Sequence, residues 1–330
     1  MSSKSNLVQE ERVHAITGGA GFIGSHLTEI LLEQGQSVVV IDSMSNGQAE
    51  WLENVRSQPR FRFCNADVRD TAAVCEMIRG ASVVWHLAAS TNMVVGAEST
   101  QVDLENGIIA THSVLEAMKA VGVHKLLFAS SGAVYGDIEQ PPASEGYGPL
   151  LPVSLYGACK LAAEGLISAY CSLFKINAWM FRFGNVLGRR MNHGVIYDFI
   201  NKLRKDPTRL EILGDGTAEK NYILVEEVIE GMFFAFEHKA QTFCEVFNLG
   251  SPSTTPVTDI ADIVIEEMEL RDVRRHFAGG ARGWPGDQPR VYMNVDKMRN
   301  LGWSTQYTSN QAVRIATRRY LGKERQLATA

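Results

Sequence analysis

Short apolar runs and amphipathic stretches take turns along the first half of the chain. Val13–Thr17 is apolar and runs into glycines, the pattern of a strand buried on both faces. Phe22–Glu33 follows, with Phe22, Ile23, Leu27, Ile30 and Leu31 at helical spacing and Gly35 just past its end. Residues 38–41 form a second buried strand closed by Asp42, and residues 61–64, 83–87 and 125–129 repeat the pattern. Helical spacing fills the gaps at about residues 71–79 and 106–121, and residues 178–183 make a final apolar strand. Such alternation predicts an α/β fold, a doubly wound parallel sheet covered by helices on both faces.

Composition shifts near Gly184-Asn185. Beyond it the segments are shorter and richer in loops, punctuated by Pro207, Pro252, Pro256, Pro285 and Pro289. The expected division is residues 1–183 as the main sheet domain and 184–330 as a smaller C-terminal α+β lobe, part of which returns to the main sheet. The residues from Lys323 onward read as a tail.

A chain of 330 residues exceeds one typical domain, and 45% hydrophobic residues supply ample core. Its net charge of -5 leaves no basic footprint, so nucleic acid is not an expected partner. Arg189-Arg190, Arg274-Arg275 and Arg318-Arg319 are isolated pairs rather than a polybasic tract. The 5 cysteines are scattered, without metal-ligand spacing, which points to reduced thiols, no metal site and a cytoplasmic setting. Cys159, beside Lys160, reads as a reactive nucleophile or, more simply, as a helix-packing thiol. The polar N-terminus lacks the apolar stretch of a secretory signal, and no apolar run reaches the roughly 18 residues a membrane helix needs.

Gly18, Gly21 and Gly24 set G-x-x-G-x-x-G between a strand and a helix. Glycine there allows a tight turn and lets the backbone, with Phe22 and Ile23 opening the helix, approach a pyrophosphate at the helix N-terminus. The flanking strand and helix supply the context of a Rossmann fold. Asp42, closing the second strand, stands where a carboxylate accepts the ribose hydroxyls and repels a 2′-phosphate, so NAD is favoured over NADP. Asn46 in the following loop joins the candidate contacts. Asp67-Val68 suits the adenine edge, although a carboxylate there also serves as a helix cap. After His86, expected to be structural, Leu87, Ala88 and Ala89 are small enough overall to let the chain pass close to the cofactor.

Tyr156 and Lys160 are spaced one helical turn apart. A free phenol titrates near about 10, so Tyr156 alone is a poor base. A neighbouring ammonium and a positive nicotinamide ring both favour its phenolate. Ser131, just past the fifth strand, faces the ligand crevice at a strand's carboxyl end and can hydrogen-bond the reacting oxygen.

These residues resemble the extended short-chain dehydrogenase/reductase family, in its nucleotide-sugar epimerase and dehydratase branch. The resemblance covers nearly the whole chain: residues 17–24, 86–89, 130–136, 156–160, 182–188, 213–216 and 282–287. Residues 192–198 and the Arg282-Gly283-Trp284-Pro285-Gly286-Asp287 segment look most like archaeal-type UDP-glucose 4-epimerases. Dehydratases and decarboxylases of the branch place a carboxylate beside the catalytic Ser/Thr or just before the following Val-Tyr. This chain has Gly132-Ala133 there. The resemblance therefore implies an NAD-dependent 4-epimerase of the UDP-glucose/UDP-galactose type, working through a transient 4-keto sugar. Tyr156, with Ser131 and Lys160, carries the proton transfer.

For a nucleotide-diphosphate sugar, a UDP-hexose above all, the resemblance assigns Asn185 to the phosphates and Asp287 to the nucleoside ribose. Lys220 stands where relatives carry an arginine, and Arg282 or Arg290 offers a guanidinium fork. Val195, with Ile196, Tyr197 and Leu213, walls a base pocket or simply packs a core. The family's habit implies a homodimer through the helix after Asn106 and the Tyr156 helix. Three positions depart from the family: Gly107 replaces an asparagine, with Asn106 one place early; Lys220-Asn221-Tyr222 replaces Arg-Asp-Phe/Tyr; and Met93, Val94 and Val95 make an apolar loop. A C4 dehydrogenase or keto-reductase of the same fold is the competing enzyme reading, and a catalytically dead NAD-binding sensor the non-enzymatic one.

Overall fold

A computed structural model describes residues 12–90, 96, 99–238 and 242–323. Seven parallel strands form one sheet, in the spatial order Phe61–Asn65, Ser37–Asp42, Val13–Thr17, Val83–His86, Lys125–Ser131, Asn177–Phe183 and Cys244–Leu249. Strand order reverses direction between Val13–Thr17 and Val83–His86, so the crevice beyond the carboxyl ends of these two strands is where ligands of such sheets bind.

Alternate side chains along each strand feed two cores, as a two-residue period requires. Ile16, Trp85, Leu127 and Phe181 face helices Phe22–Glu33 and Val225–Glu237. Ala15, Val84, Leu126 and Met180 face Thr71–Ile78, Ala110–Val121 and Leu155–Phe174. Helices on both faces are why the strands read as unbroken apolar runs.

After Phe183 the chain builds a third core from Val195–Lys205, Val257–Glu267 and Ser309–Tyr320, with Ile196, Phe199, Ile260, Val264 and Val313 inside. Part of this half does return to the main sheet. Val225–Glu237 covers it and Cys244–Leu249 becomes its edge strand, while Met298 and Trp303 pack into the same core.

One expected boundary moves. The helix anticipated from residue 106 begins earlier, with Thr100–Asp103, a π-helical stretch Leu104–Ile109 and then Ala110–Val121. The π stretch breaks the 3.6-residue period, which hides those turns from a periodicity argument.

Candidate active site

The glycine turn is shaped by close backbone approach. Gly18 has φ +70, and a Cβ on it would stand 2.7 Å from the Ala88 amide nitrogen. On Gly24 a Cβ would lie 2.2 Å from the Gly18 carbonyl oxygen. Both positions need glycine for the turn to close under the strand end at Leu87, Ala88 and Ala89. Helix Phe22–Glu33 begins at Gly21 without any side-chain cap. Its first amides, those of Phe22 and Ile23 included, are left without side-chain acceptors, and a pyrophosphate satisfies such donors while lying on the positive end of the helix dipole. The residues present therefore fit a dinucleotide.

Asp42 is buried, and its carboxylate braces that turn. Oδ2 accepts the Ala20 amide at 2.9 Å and Oδ1 the Met44 amide at 2.9 Å. Asn46 is exposed on the loop beyond. Asp67 accepts from the Arg69 guanidinium, which holds its carboxyl below the usual carboxylate range. The cap of the next helix is Asp70, which accepts from Ala73 N at 3.0 Å, so Asp67 is not that cap. Val68 is buried beside it.

Ser154 caps helix Leu155–Phe174 by accepting from Gly157 N at 3.1 Å, which places Tyr156 in the first turn. A Cβ at Gly157 would meet the Ala133 carbonyl at 2.6 Å. Glycine thus lets the helix start rest on the turn that follows Ser131, and the Ser131 and Tyr156 side chains hydrogen-bond. Ser131 Oγ also accepts from Ala133 N at 3.1 Å. Burial pushes the Tyr156 phenol up to about 12, against the pull of the Ser131 bond, and the charge of Asp103 adds to the rise. Lys160 is buried, donates to the Ala129 carbonyl at 2.6 Å, and has its Nζ 5.8 Å from the centre of the Tyr156 ring. Burial lowers its ammonium to about 8, so it stays charged at neutral pH.

Beneath the pair lies a buried support that no motif announced. Arg182 clamps Glu164 in two bonds, Nε to Oε1 at 3.0 Å and Nη2 to Oε2 at 2.7 Å, and Ser130 Oγ donates to Oε1 at 2.5 Å. This fork joins the Ser131 strand, the next strand and the Tyr156 helix, and its spare acceptors are satisfied, as a buried ion pair requires. His86 is wholly buried between Thr17 Oγ1 at 2.7 Å and Thr111 Oγ1 at 3.1 Å. Burial drives it down to about 3, so it is a neutral tie rather than an acid.

Asp103 was also missed. It is 3% exposed, desolvation raises its carboxyl, and its charge reaches both Tyr156 and Cys159. Only the packing of the π-helical segment on the Tyr156 helix brings it there. Asn106 donates to Val102 O at 2.8 Å within its own helix. Gly107 packs directly on Cys159, whose thiol burial pushes up; the packing reading of that cysteine is the one the geometry favours.

The opposite rim gathers residues distant in sequence. Lys220 Nζ meets Asp287 Oδ1 at 2.7 Å and lies 5.3 Å from the Trp284 ring centre. Arg282 donates to the Asp287 carbonyl and, at 2.6 Å, to Asp137 Oδ2. Asn185 Nδ2 donates to Asn221 O at 3.3 Å, which sets it beside Lys220. Asn221 is buried and structural, bonded to Ser251 O, Ser253 O and Met293 N. Arg290 is exposed. Of the candidate base-pocket wall, Ile196 is wholly in the lobe core, Val195 and Tyr197 lie half-buried against it, and Leu213 is 43% exposed. Met93, Val94 and Val95 lie outside the described residues. Among the described residues, no cluster of His, Cys, Asp and Glu is arranged to hold a metal ion, and no helix is long and apolar enough to cross a membrane.

The profile of the NAD dependent epimerase/dehydratase family matches residues 14–250. A putative UDP-glucose 4-epimerase of Methanocaldococcus jannaschii is 31% identical over 305 residues, covering 91% of this chain and 95% of that protein. The crystal structure of a UDP-galactose 4-epimerase superposes with a TM-score of 0.82 at 33% identity, over 96% of this chain and 100% of that one. The Thermus thermophilus UDP-glucose 4-epimerase in complex with NAD gives a TM-score of 0.82 at 29% identity, over 94% of this chain and 99% of that one.

Proposed function

The chain belongs to the NAD dependent epimerase/dehydratase family, and from that premise we propose that it is a nucleotide-sugar 4-epimerase acting on a UDP-hexose. NAD is its cofactor. The observation that carries the reading is the turn Gly132–Tyr135, buried behind Ser131 and Tyr156 and without a carboxylate. Elimination of water or loss of carbon dioxide asks for an acid there, whereas oxidation followed by reduction does not. The relatives' names, UDP-glucose and UDP-galactose 4-epimerase, supply the substrate class.

When bound, NAD supplies the hydride acceptor, and in the return step the donor, at the sugar's C4. Tyr156 Oη takes the C4 hydroxyl proton, and Ser131 Oγ shares the hydrogen bond. Bringing a phenol from about 12 to neutrality asks for about 7 kcal/mol. The Lys160 ammonium, 5.8 Å from the ring centre, supplies part of it by favouring the phenolate. The Ser131 bond is already contained in that starting value, so the remainder falls to the positive ring of the bound cofactor. The 4-keto sugar then turns about its diphosphate, held by Lys220, Arg282 and Asn185, with Asp287 at the ribose. Tyr156 returns its proton as hydride arrives on the other face, so no second substrate is consumed.

Residues 1–183 serve the cofactor in this reading, and 184–330 mainly the nucleotide sugar. Exposed Leu104, Ile109, Leu155 and Leu173 on the two helical segments support a homodimer. The test is Tyr156→Phe, assayed by proton NMR on UDP-glucose and UDP-galactose. Turnover should fall by about 100-fold or more while NAD stays bound. Unchanged turnover, or net conversion to a keto sugar by the native protein, would overturn the assignment.

A further inference from the structure

The segment that begins at Arg282 does more than carry charges of the rim. Asp287, 3% exposed, pairs with Lys220 at 2.7 Å. A few residues on, Arg290 and Val291 run parallel to Glu219 and Lys220, and Glu219 N donates to Pro289 O at 2.7 Å. The segment is thus tied twice to the strand that holds Lys220.

Between those ties it reaches across to the catalytic turn. Gln288 is buried, and its Nε2 donates to the Gly136 carbonyl. Gly136 ends the turn Gly132–Tyr135 behind Ser131, and a Cβ there would lie 1.9 Å from the Leu151 oxygen. Its bridge to Leu151 leads directly to Ser154, the cap of the Tyr156 helix. Gly286 rests on the same cap, where a Cβ on it would stand 3.2 Å from Ser154 Cβ. Val291 and Met293 pack with Val134 and Tyr135 in one small core, so apolar contact also backs the turn.

Apolar contact is non-directional and by itself leaves a turn free to shift. The Gln288 bond adds direction, since a donor must meet a carbonyl near its plane, and a buried carbonyl loses most when its donor is removed. Along the chain, Ser131 precedes the Gly136–Leu151 bridge and Tyr156 follows it. A shift at that junction therefore changes how the two side chains meet.

We propose that Gln288 is a positioning residue for the Ser131–Tyr156 pair, holding the junction of turn and helix from the same short segment that carries Asp287 of the rim. It acts through Gly136 and does not itself touch the sugar. Its role in turnover rests on the epimerase reading; its hold on the turn does not.

Two substitutions in the full chain test this. Gln288→Leu keeps the bulk and removes the donor. In hydrogen–deuterium exchange without substrate, amides of residues 132–136 and 151–157 should exchange on the order of tenfold faster, while those of residues 13–42 keep their native rates. With UDP-glucose, kcat should fall on the order of tenfold and KM should stay within about threefold, as expected when only the reacting geometry is lost. Gln288→Glu is nearly isosteric and regains a donor only when its carboxyl is protonated, which burial favours. Its kcat relative to the native chain should therefore recover as pH falls from about 8 toward about 5. A purely structural role would lower the melting temperature and leave that pH dependence unmoved. Native exchange rates at residues 132–157 in Gln288→Leu, or a loss confined to KM, would overturn the proposal. Absence of epimerisation by the native chain would overturn the epimerase reading instead, and the exchange rates alone would then decide on Gln288.

Discussion

On the cofactor side of the proposed site, the groups offered to a pyrophosphate are backbone amides of one continuous turn, residues 18–24. On the opposite rim the polar groups are side chains of Asn185, Lys220, Arg282 and Asp287, drawn from three separate segments, with Lys220 on Asp287, Arg282 on Asp137 and the Asp287 carbonyl, and Asn185 on the Asn221 carbonyl. The first arrangement depends on where side chains are missing, because a Cβ at Gly18 or Gly24 would strike backbone. The second depends on charge balance, because Lys220 is paired with Asp287 and Arg282 with Asp137, pairs for which the proposed diphosphate would compete. Backbone cradles therefore tolerate no added atoms, while ion-pair rims tolerate substitution at a graded cost.

That contrast can be broken from either side. Gly24→Val should have the largest effect. With a Cβ only 2.2 Å from the Gly18 oxygen the turn must open, and NAD affinity should drop on the order of 100-fold, read as cofactor retained after gel filtration. Lys220→Met should raise KM for the nucleotide sugar on the order of tenfold while leaving NAD affinity unchanged. A matching loss of NAD would mean that the two sides are one site. Lys160→Met should move the kinetic pKa assigned to Tyr156 upward, so activity lost at neutral pH partly returns as pH rises. Asp103→Asn removes a buried charge that opposes the phenolate and should shift the same pKa downward, a smaller change visible only in the pH–rate profile.

The smallest effect concerns stability. Burial lowers His86 to about 3 and His14 to about 4, while the unfolded chain titrates them near 6.5. The unfolded state therefore binds more protons in that interval, and stability rises with pH across it. The contribution is complete above 6.5 and drains away as pH falls toward 3. Melting temperatures between pH 7 and pH 5 should fall, and His86→Asn should flatten that slope; an unchanged slope would assign it to other groups.

Local pattern made the sheet legible. Six strands and two helices follow from runs of apolar residues because each is read within a few positions, and the glycine turn follows from its spacing between a strand and a helix. The start of the helix before Gly107 was not legible, since a π-helical stretch breaks the period. Asp103 and the Glu164–Arg182 fork carried no distinct spacing, and Asn221 read only as a departure from the family motif although it is a buried strut. Each acquires its role from a partner 18 to 72 residues away, which no local window contains.

What the sequence determined by itself is the backbone chemistry of this protein: a parallel sheet, a cofactor turn, and a phenol with an ammonium one helical turn along. Those depend on steric and periodic rules that act within a single element. Only the tertiary structure decided which charges meet, which are buried and which way their proton affinities move. Desolvation and ion pairing depend on distances between elements, and these exist only once the sheet has closed its two cores.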